Sequence, residues 1–131
     1  MDRAIEIMRE SKTIAVVGVT TKRERPANDI AGYLIDHGYT VYLVNPTEEG
    51  ERMFDRAIYP SVQSLPERVD IVDVFRRPAD VPPVAEDAIA AGAKVLWMQI
   101  GIVNEEAAAR AREAGLEVVM DRCTKIEHAR I

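Results

Sequence analysis

Five short apolar runs alternate along the chain with stretches that have the spacing and end residues of amphipathic helices. The runs are continuously apolar, which is typical of parallel strands buried on both faces. The helical stretches between them supply the crossovers that parallel pairing needs. The pattern predicts an α/β fold, a three-layer Rossmann-like parallel sheet of about five strands with helices on both faces. The expected strands are Thr13–Gly18, Thr40–Val44, Asp70–Phe75, Lys94–Ile100 and Leu116–Met120.

Residues suited to helix ends support this division of the chain. Asp2 is a good N-cap for a leading helix over residues 2–11, whose apolar face is expected to carry Ile5 and Met8. Pro26 occupies the favoured first position of a second helix. The remaining helix ends are expected at Gly38, Asp80, Gly92, Asn104 and Gly115.

Two segments lack a clear pattern. The charged stretch over residues 47–68 is predicted to be a loop, with a single helical turn near Ser61–Leu65. Residues 121–131 are predicted to be a polar tail. With 131 residues and no internal repeat or linker, the chain is expected to form one domain, as a monomer or a homodimer.

Charge and composition exclude several classes of function. The formal net charge of -5 argues against nucleic acid as a partner, because a phosphate backbone requires a basic face. No apolar run approaches the roughly 20 residues of a membrane span, and the first residues are too polar for a signal peptide. A single cysteine cannot form an internal disulfide. These features predict a cytoplasmic protein without a membrane partner.

Hydroxyl, amide and cationic side chains concentrate where the predicted strands end. In open α/β sheets, ligands bind in the crevice beyond the carboxyl ends of the strands. A surface without a binding function would spread such residues over both edges of the sheet. The segments that follow the strands are Gly18–Pro26, Asn45–Pro46, Phe75–Pro78, Gln99–Gly101 and Asp121–Cys123.

The loop after the first strand has the features of an anion site. Gly18 permits close approach of the backbone, and a helix is expected to begin at Pro26. Arg25 is a poor N-cap, so it leaves the first amides of that helix to a ligand and adds positive charge. Thr20 and Thr21 can donate hydrogen bonds to a phosphate. The alternative is a solvated basic loop that only keeps the turn soluble.

The usual dinucleotide signals are absent from the sequence. After Gly18 there is no second or third glycine at the G-x-G-x-x-G spacing. The second strand ends in Asn45-Pro46, where an acidic residue would bind the ribose of NAD. The sequence therefore disfavours NAD and leaves another phosphate-bearing nucleotide as the expected ligand.

Several motifs, in order, resemble the CoA-binding domain family, whose members are similar to the nucleotide-binding domain of the succinyl-CoA synthetase α subunit. The resemblance extends from about Ser11 to Arg130. The motifs are Ile14–Val19, Arg25–Asn28, Gly38-Tyr39, Tyr42–Pro46, Val69–Arg76, Gly92–Gln99, Met120–Cys123 and Ile126–His128.

The resemblance implies coenzyme A as the cofactor and assigns its parts to the strand ends. The pyrophosphate would lie on Gly18, Thr20, Thr21 and Arg25, and the adenosine near Val44, Asn45 and Pro46. Val19, Pro26 and Cys123 are further expected cofactor-binding residues. Phe75, Arg76 and Arg77 would lie beside the ligand, and Gln99, Ile100 and Gly101 along the pantetheine arm. Relatives often have Gly-Ala-Ser in the first loop and Lys after Asn-Pro, where this chain has Gly18-Val19-Thr20 and Thr47. The candidates for the cationic residue that contacts the 3′-phosphate are therefore Lys22, Arg23 and Arg76.

Candidates for catalysis are few. Cys123 lies between Arg122 and Lys125, which would stabilise its thiolate, but it is equally suited to be a small buried apolar residue. His128 would reach it only if the tail folds back. The sequence has no metal-ligand spacing, and Asp73 in its apolar strand is expected to be either paired or at the sheet edge, with a structural role. The favoured function is CoA or acyl-CoA binding without catalysis; the alternatives are a thiol-dependent enzyme or CoA-disulfide carrier using Cys123, and an NAD(H)-binding redox sensor.

Overall fold

The computed structural model describes residues 2–131 and consists of one seven-stranded sheet with helices on both faces. The strands are β1 (Thr13–Val17), β2 (Thr40–Val44), β3 (Arg52–Met53), β4 (Arg56–Tyr59), β5 (Ile71–Val74), β6 (Val95–Met98) and β7 (Glu117–Val119). The helices are α1 (Arg3–Glu10), α2 (Pro26–Asp36), α3 (Val81–Ala90), α4 (Glu105–Glu113) and α5 (Thr124–Ala129). Over residues 2–131, no helix is both long and apolar enough to cross a membrane.

The strand order is β3-β4-β2-β1-β5-β6-β7, with every pair parallel except β3 with β4. The chain proceeds from β1 to β2 on one side and then crosses to β5 on the other side of β1. The sheet therefore has its switch point between β1 and β5, where an open α/β sheet leaves a crevice for a ligand. The predicted Rossmann-like α/β class is confirmed.

The expected number of five strands is wrong, because the stretch predicted to be a loop contains β3 and β4. These strands form a hairpin whose two turn residues, Phe54 and Asp55, have φ values of 52° and 59°. Such a turn is normally recognised by Asn-Gly or Asp-Gly, so Phe-Asp provides no signal in the sequence. β4 extends the parallel sheet by pairing with β2, and the expected helical turn near Ser61–Leu65 is an irregular turn.

Two of the predicted N-caps are confirmed and one is wrong. Asp2 accepts a hydrogen bond from the amide of Ala4, and Asn104 accepts one from the amide of Ala107. The Asp80 side chain caps no amide of α3, because the second and third residues of the helix, Pro82 and Pro83, have no N–H to donate; its carboxylate pairs with Arg77.

The apolar core is divided between the two faces of the sheet. One cluster packs α3 and α4 against side chains such as Met98, and the other packs α1 and α2 against side chains such as Trp97. Both of these residues are fully buried, as expected for core positions. In α1 the buried residues are Ala4, Ile7 and Met8, so Met8 is on the buried face as predicted, whereas Ile5 is only partly buried at the edge of that face.

The predicted polar tail is wrong, because most of it forms α5, which packs against α1 and α2. The sequence did not indicate this helix because its buried residues, Thr124 and Glu127, are polar. Glu127 is only 3% exposed and is paired with Arg122 and Arg130. Because α5 packs in this way, the residues that precede it lie beside the carboxyl edge of the sheet.

Candidate functional site

A cleft of about 660 Å³, called here the central cleft, opens at the switch point between β1 and β5. The loop after β1 and the start of α2 form one wall. The loops after β5 and β6 form the other. Its lining residues are Gly18, Thr20, Arg23, Arg25, Pro26, Ala27, Ile30, Phe75, Arg76, Arg77, Asp80, Gln99, Ile100, Ile102 and Cys123.

Gly18 lets the loops after β1 and β5 approach each other. It has a φ of +116°, and a Cβ on it would lie 2.4 Å from the carbonyl oxygen of Phe75. Its amide donates to the carbonyl of Val44, which ties the end of β1 to β2 as well. Only glycine combines this conformation with such close backbone contact.

Two side chains hold the loop after β1 in place. Asn28 of α2 accepts a hydrogen bond from the amide of Thr20 and donates to the carbonyls of Thr20 and Arg23. Buried Glu48 accepts from the amide and hydroxyl of Thr21 at 2.8 and 2.6 Å. Hydrogen bonds from the side chains of Thr20 and Thr21 lower the pKa of Glu48 to about 2. Thr20 and Thr21, which the sequence suggested as hydrogen-bond donors to a phosphate, therefore already form hydrogen bonds within the protein.

The cationic groups of the central cleft surround the start of α2. Arg25 precedes the helix and makes no capping hydrogen bond from its side chain, and Pro26 occupies the first helical position. Arg23 and Arg25 line the cleft from the first loop, and Arg76 and Arg77 line it from the opposite side. Because the helix start also presents a positive partial charge, this part of the cleft favours an anion.

A second cleft of about 810 Å³, called here the outer cleft, lies on the other face of the sheet beside β2 and α3. Val44 and Pro46 line it, together with Pro60, Pro83 and Val84. Arg76 and Asp80 line both clefts and so separate them. The two clefts therefore meet beside Arg76.

Asn45 serves the fold of the turn after β2. It is buried, donates to the carbonyl of Val19 at 2.8 Å, and accepts from the amide and hydroxyl of Thr47. It has no acidic group for a ribose, and both ends of its carboxamide are engaged. Asn45 therefore offers no carboxylate to the ribose of NAD, which agrees with the argument from the sequence against NAD as the ligand.

Three buried polar side chains, called here the floor triad, close the bottom of the central cleft. Gln99 Nε2 donates to Asp73 Oδ1 at 2.7 Å and to Thr124 Oγ1 at 3.0 Å, and Thr124 Oγ1 donates to Asp73 Oδ2 at 3.0 Å. Asp73 is fully buried and paired, as the sequence predicts. Burial raises the pKa of Asp73 to about 7, although the hydrogen bonds from Gln99 and Thr124 act to lower it.

Cys123 lines the central cleft near Gln99 and is partly buried. His128 is on the folded α5, but its Nδ1 is hydrogen-bonded to the Tyr33 hydroxyl at 2.7 Å and its ring packs against His37. His37 follows the last residue of α2, and its Nδ1 donates to the carbonyl of Tyr33. His128 is thus committed to the contact between α2 and α5.

The structure brings most of the predicted site residues to the two clefts. Four residues that were not among the predicted site residues also line the central cleft: Ala27, Ile30, Asp80 and Ile102. Of the two residues that hold the first loop, Asn28 lies within one of the family motifs, whereas nothing in the sequence indicated Glu48. Of the predicted residues, Val19 is core, Thr21 contacts Glu48, Asn45 supports the β2 turn and Gly101 binds Asp121 through its amide. The predicted residues in the central cleft are Gly18, Thr20, Arg23, Arg25, Pro26, Phe75, Arg76, Arg77, Gln99, Ile100 and Cys123; those in the outer cleft are Val44, Pro46 and Arg76.

Burial of Asp73 predicts a dependence of stability on pH. The folded state retains a proton on Asp73 between pH 3.8 and about 7, whereas the unfolded state loses it, so this contribution to stability declines as pH rises through that window. Asp73→Asn removes the dependence. We expect the variant to gain about 3 kcal/mol of stability relative to the wild type between pH 4.5 and pH 7, because each pH unit of that window corresponds to about 1.4 kcal/mol. Urea unfolding of both proteins from pH 4.5 to 8.5 measures this; a constant difference would contradict it.

The fold and the clefts together define a Rossmann-like α/β protein with a cationic cleft at the carboxyl edge of its sheet. Residues 12–129 match the CoA binding domain family. The chain belongs to this family, and the resemblance found in the sequence is confirmed. It is similar to the uncharacterized protein YneT of Bacillus subtilis (strain 168), with 40% identity over 95% of this chain and 90% of that protein.

Solved structures show the same fold. A hypothetical protein from Pyrococcus horikoshii OT3 is 44% identical, with a TM-score of 0.90 over 98% of this chain and 89% of that one. A protein from Thermus thermophilus is 37% identical, with a TM-score of 0.92 over 99% and 98% of the two chains. The dinucleotide-forming acetyl-coenzyme A synthetase 1 of Ca. Korarchaeum cryptofilum is 25% identical, with a TM-score of 0.71 over 82% of this chain and 25% of the synthetase.

Proposed function

We propose that this protein binds coenzyme A or an acyl-CoA and has no catalytic activity of its own. The observation that carries the proposal is the central cleft, which joins a cationic helix start to a mostly apolar region in a member of the CoA binding domain family. Coenzyme A has the same division, with phosphates at one end and a thiol-terminated arm at the other.

Charge supports the position of the phosphates. The start of α2, with Arg23 and Arg25, faces Arg76 and Arg77 across the cleft, so a pyrophosphate there would meet cations from both walls. The Thr21 hydroxyl donates to Glu48, and Thr20 Oγ1 accepts from the amide of Lys22, so backbone amides and arginines are the expected partners. Arg23 and Arg76 line the central cleft and Lys22 does not, which favours the two arginines for the 3′-phosphate.

The shape of the clefts supports the orientation of the ligand. The outer cleft, lined by Val44 and Pro46, would receive the adenine, and Arg76 lies where the two clefts meet. The arm would then extend along Phe75 and Ile100 toward Gln99 and Cys123. Ile100 is 59% exposed at the rim, so an arm that covers it would remove apolar surface from water.

Isothermal titration with CoA, dephospho-CoA and NADH tests the proposal. We expect CoA to bind in the micromolar range, dephospho-CoA about tenfold more weakly because a charged contact is lost, and NADH not at all. No binding of CoA at millimolar concentration would overturn the proposal. Stronger binding of NADH than of CoA would favour a redox-sensing function in its place.

The position of Cys123 favours a second function, that of a CoA-disulfide carrier. Its thiol lies in the cleft that would hold the arm of the cofactor. The Cys123 thiolate would attack the disulfide of oxidised CoA, form the mixed disulfide and release one CoA thiolate. The single cysteine of the chain means that no resolving thiol competes.

Intact mass spectrometry after treatment with oxidised CoA measures this reaction. We expect one CoA adduct on the wild type and none on Cys123→Ser. Oxidised glutathione at the same concentration is the control, and we expect it to react at least about tenfold more slowly because it lacks the nucleotide that the cleft would bind. Equal rates with the two disulfides would indicate an ordinary accessible thiol and not a carrier.

A further inference from the structure

The floor triad has one arrangement of hydrogen bonds when Asp73 is ionised. A carboxylate only accepts, so the carboxamide of Gln99 must turn its Nε2 toward Asp73 Oδ1. The second hydrogen on Nε2 is directed to Thr124 Oγ1, and the hydroxyl hydrogen of Thr124 is directed to Asp73 Oδ2. Each of the three hydrogens therefore has one acceptor, and the ring is closed.

The remaining polar atom of Gln99 is its carbonyl oxygen, Oε1. Gln99 lines the central cleft and is only 5% exposed. Across residues 2–131, no fully buried side-chain nitrogen or oxygen lacks a hydrogen-bond partner, and no hydrogen bond to Oε1 is formed within that part of the chain. Oε1 is therefore accessible from the cleft and has no partner among the described residues.

We propose that Asp73 and Thr124 fix the Gln99 carboxamide with Oε1 toward the central cleft, so that the site selects a ligand with an N–H or O–H donor at this depth. Asp73 acts through Gln99 and is a positioning residue. The inference rests on the proposed function and refines it. The arm of CoA carries two amide N–H groups and a hydroxyl, any one of which would satisfy Oε1.

Asp73→Asn separates positioning from folding. The new carboxamide would offer both a donor and an acceptor, so the Gln99 carboxamide could satisfy it in either orientation. The acidic group is removed from a fully buried position, so the variant should be at least as stable as the wild type above pH 7. A loss of ligand selectivity in this variant would not come from unfolding.

Titration at pH 8.5 with CoA and three analogues tests the proposal. Each analogue lacks one donor of the arm, with an ester oxygen in place of an amide N–H, or hydrogen in place of the hydroxyl. We expect the wild type to bind one analogue about tenfold more weakly than CoA. In Gln99→Met this preference should disappear, and in Asp73→Asn it should fall below about threefold. Asp36→Asn, an exposed position at the end of α2, is the matched control and should keep the full preference.

The outcomes separate this inference from the function on which it rests. Binding of CoA by the wild type with no preference among the four ligands would overturn the inference and leave the proposed function intact. A preference that survives in Gln99→Met would also overturn it. A full preference in Asp73→Asn would overturn the positioning role. Failure of the wild type to bind CoA would overturn the proposed function and the inference together.

Discussion

Gly18→Ala should lower the free energy of unfolding by about 2–4 kcal/mol, which is the largest loss we expect from a one-carbon change in this protein. The new Cβ would lie 2.4 Å from the carbonyl oxygen of Phe75 and 3.0 Å from its Cβ. The residue would also have to keep a φ of +116°, which alanine adopts only with strain. Relief of the contact requires the ends of β1 and β5 to separate.

Gly115→Ala is the matched control, because it shares the backbone strain and lacks the contact. Gly115 has a φ of +96°, and a Cβ added to it would have no atom within 4 Å, so we expect a loss of about 1–2 kcal/mol. Urea unfolding of the two variants and the wild type gives the comparison. Equal losses would show that the close approach to Phe75 adds nothing to the destabilisation at Gly18.

The double variant Arg25→Glu/Arg76→Glu should weaken CoA binding by about 100-fold or more. A hydrogen bond to a charged group contributes about 1.5–3 kcal/mol, so the loss of two accounts for this factor before any repulsion. Arg25 is exposed at the start of α2 and Arg76 lies where the two clefts meet, so both would face phosphates. Neither belongs to the core, and the fold should be retained.

Lys12→Glu/Arg112→Glu changes the net charge by the same amount and is the control. Both residues are exposed; Lys12 precedes β1 and Arg112 is near the end of α4, which places them at the amino edge of the sheet. We expect CoA binding within about threefold of the wild type, since charges beyond the Debye length of about 10 Å are screened. A similar loss in both double variants would point to net charge and against the cleft arginines.

Strand position was the most predictable property of this chain. The strands β1, β5 and β6 are buried along nearly their whole length, so a continuous apolar run in the sequence is sufficient to locate each of them. β3 and β4 were missed because their hairpin turn, Phe54-Asp55, lacks the usual turn residues. α5 was missed because its buried side chains are polar and find partners that only the folded chain supplies.

The candidate site was predictable in location and less so in its contacts. The rule that strand ends form the crevice correctly assigned Gly18, Arg76 and Gln99, from distant parts of the chain, to one cleft. No feature of the sequence indicated that Glu48 would accept the hydrogen bond of the Thr21 hydroxyl in the first loop. That contact joins two loops that follow neighbouring strands, and such a pairing depends on how the strands are arranged and not on local sequence.

The sequence by itself determined the layered α/β fold, the cationic loop before α2 and the family, because periodicity, helix-end residues and ordered motifs are local properties. Only the tertiary structure decided which groups of that loop remain available and how Gln99 is oriented. The reason is physical: hydrogen bonds in a buried network are satisfied by whichever partners the fold brings within about 3 Å. Asp73 illustrates the difference, since its sequence position predicted only that it would be paired, and the fold surrounded it with Gln99 and Thr124 at the bottom of the central cleft.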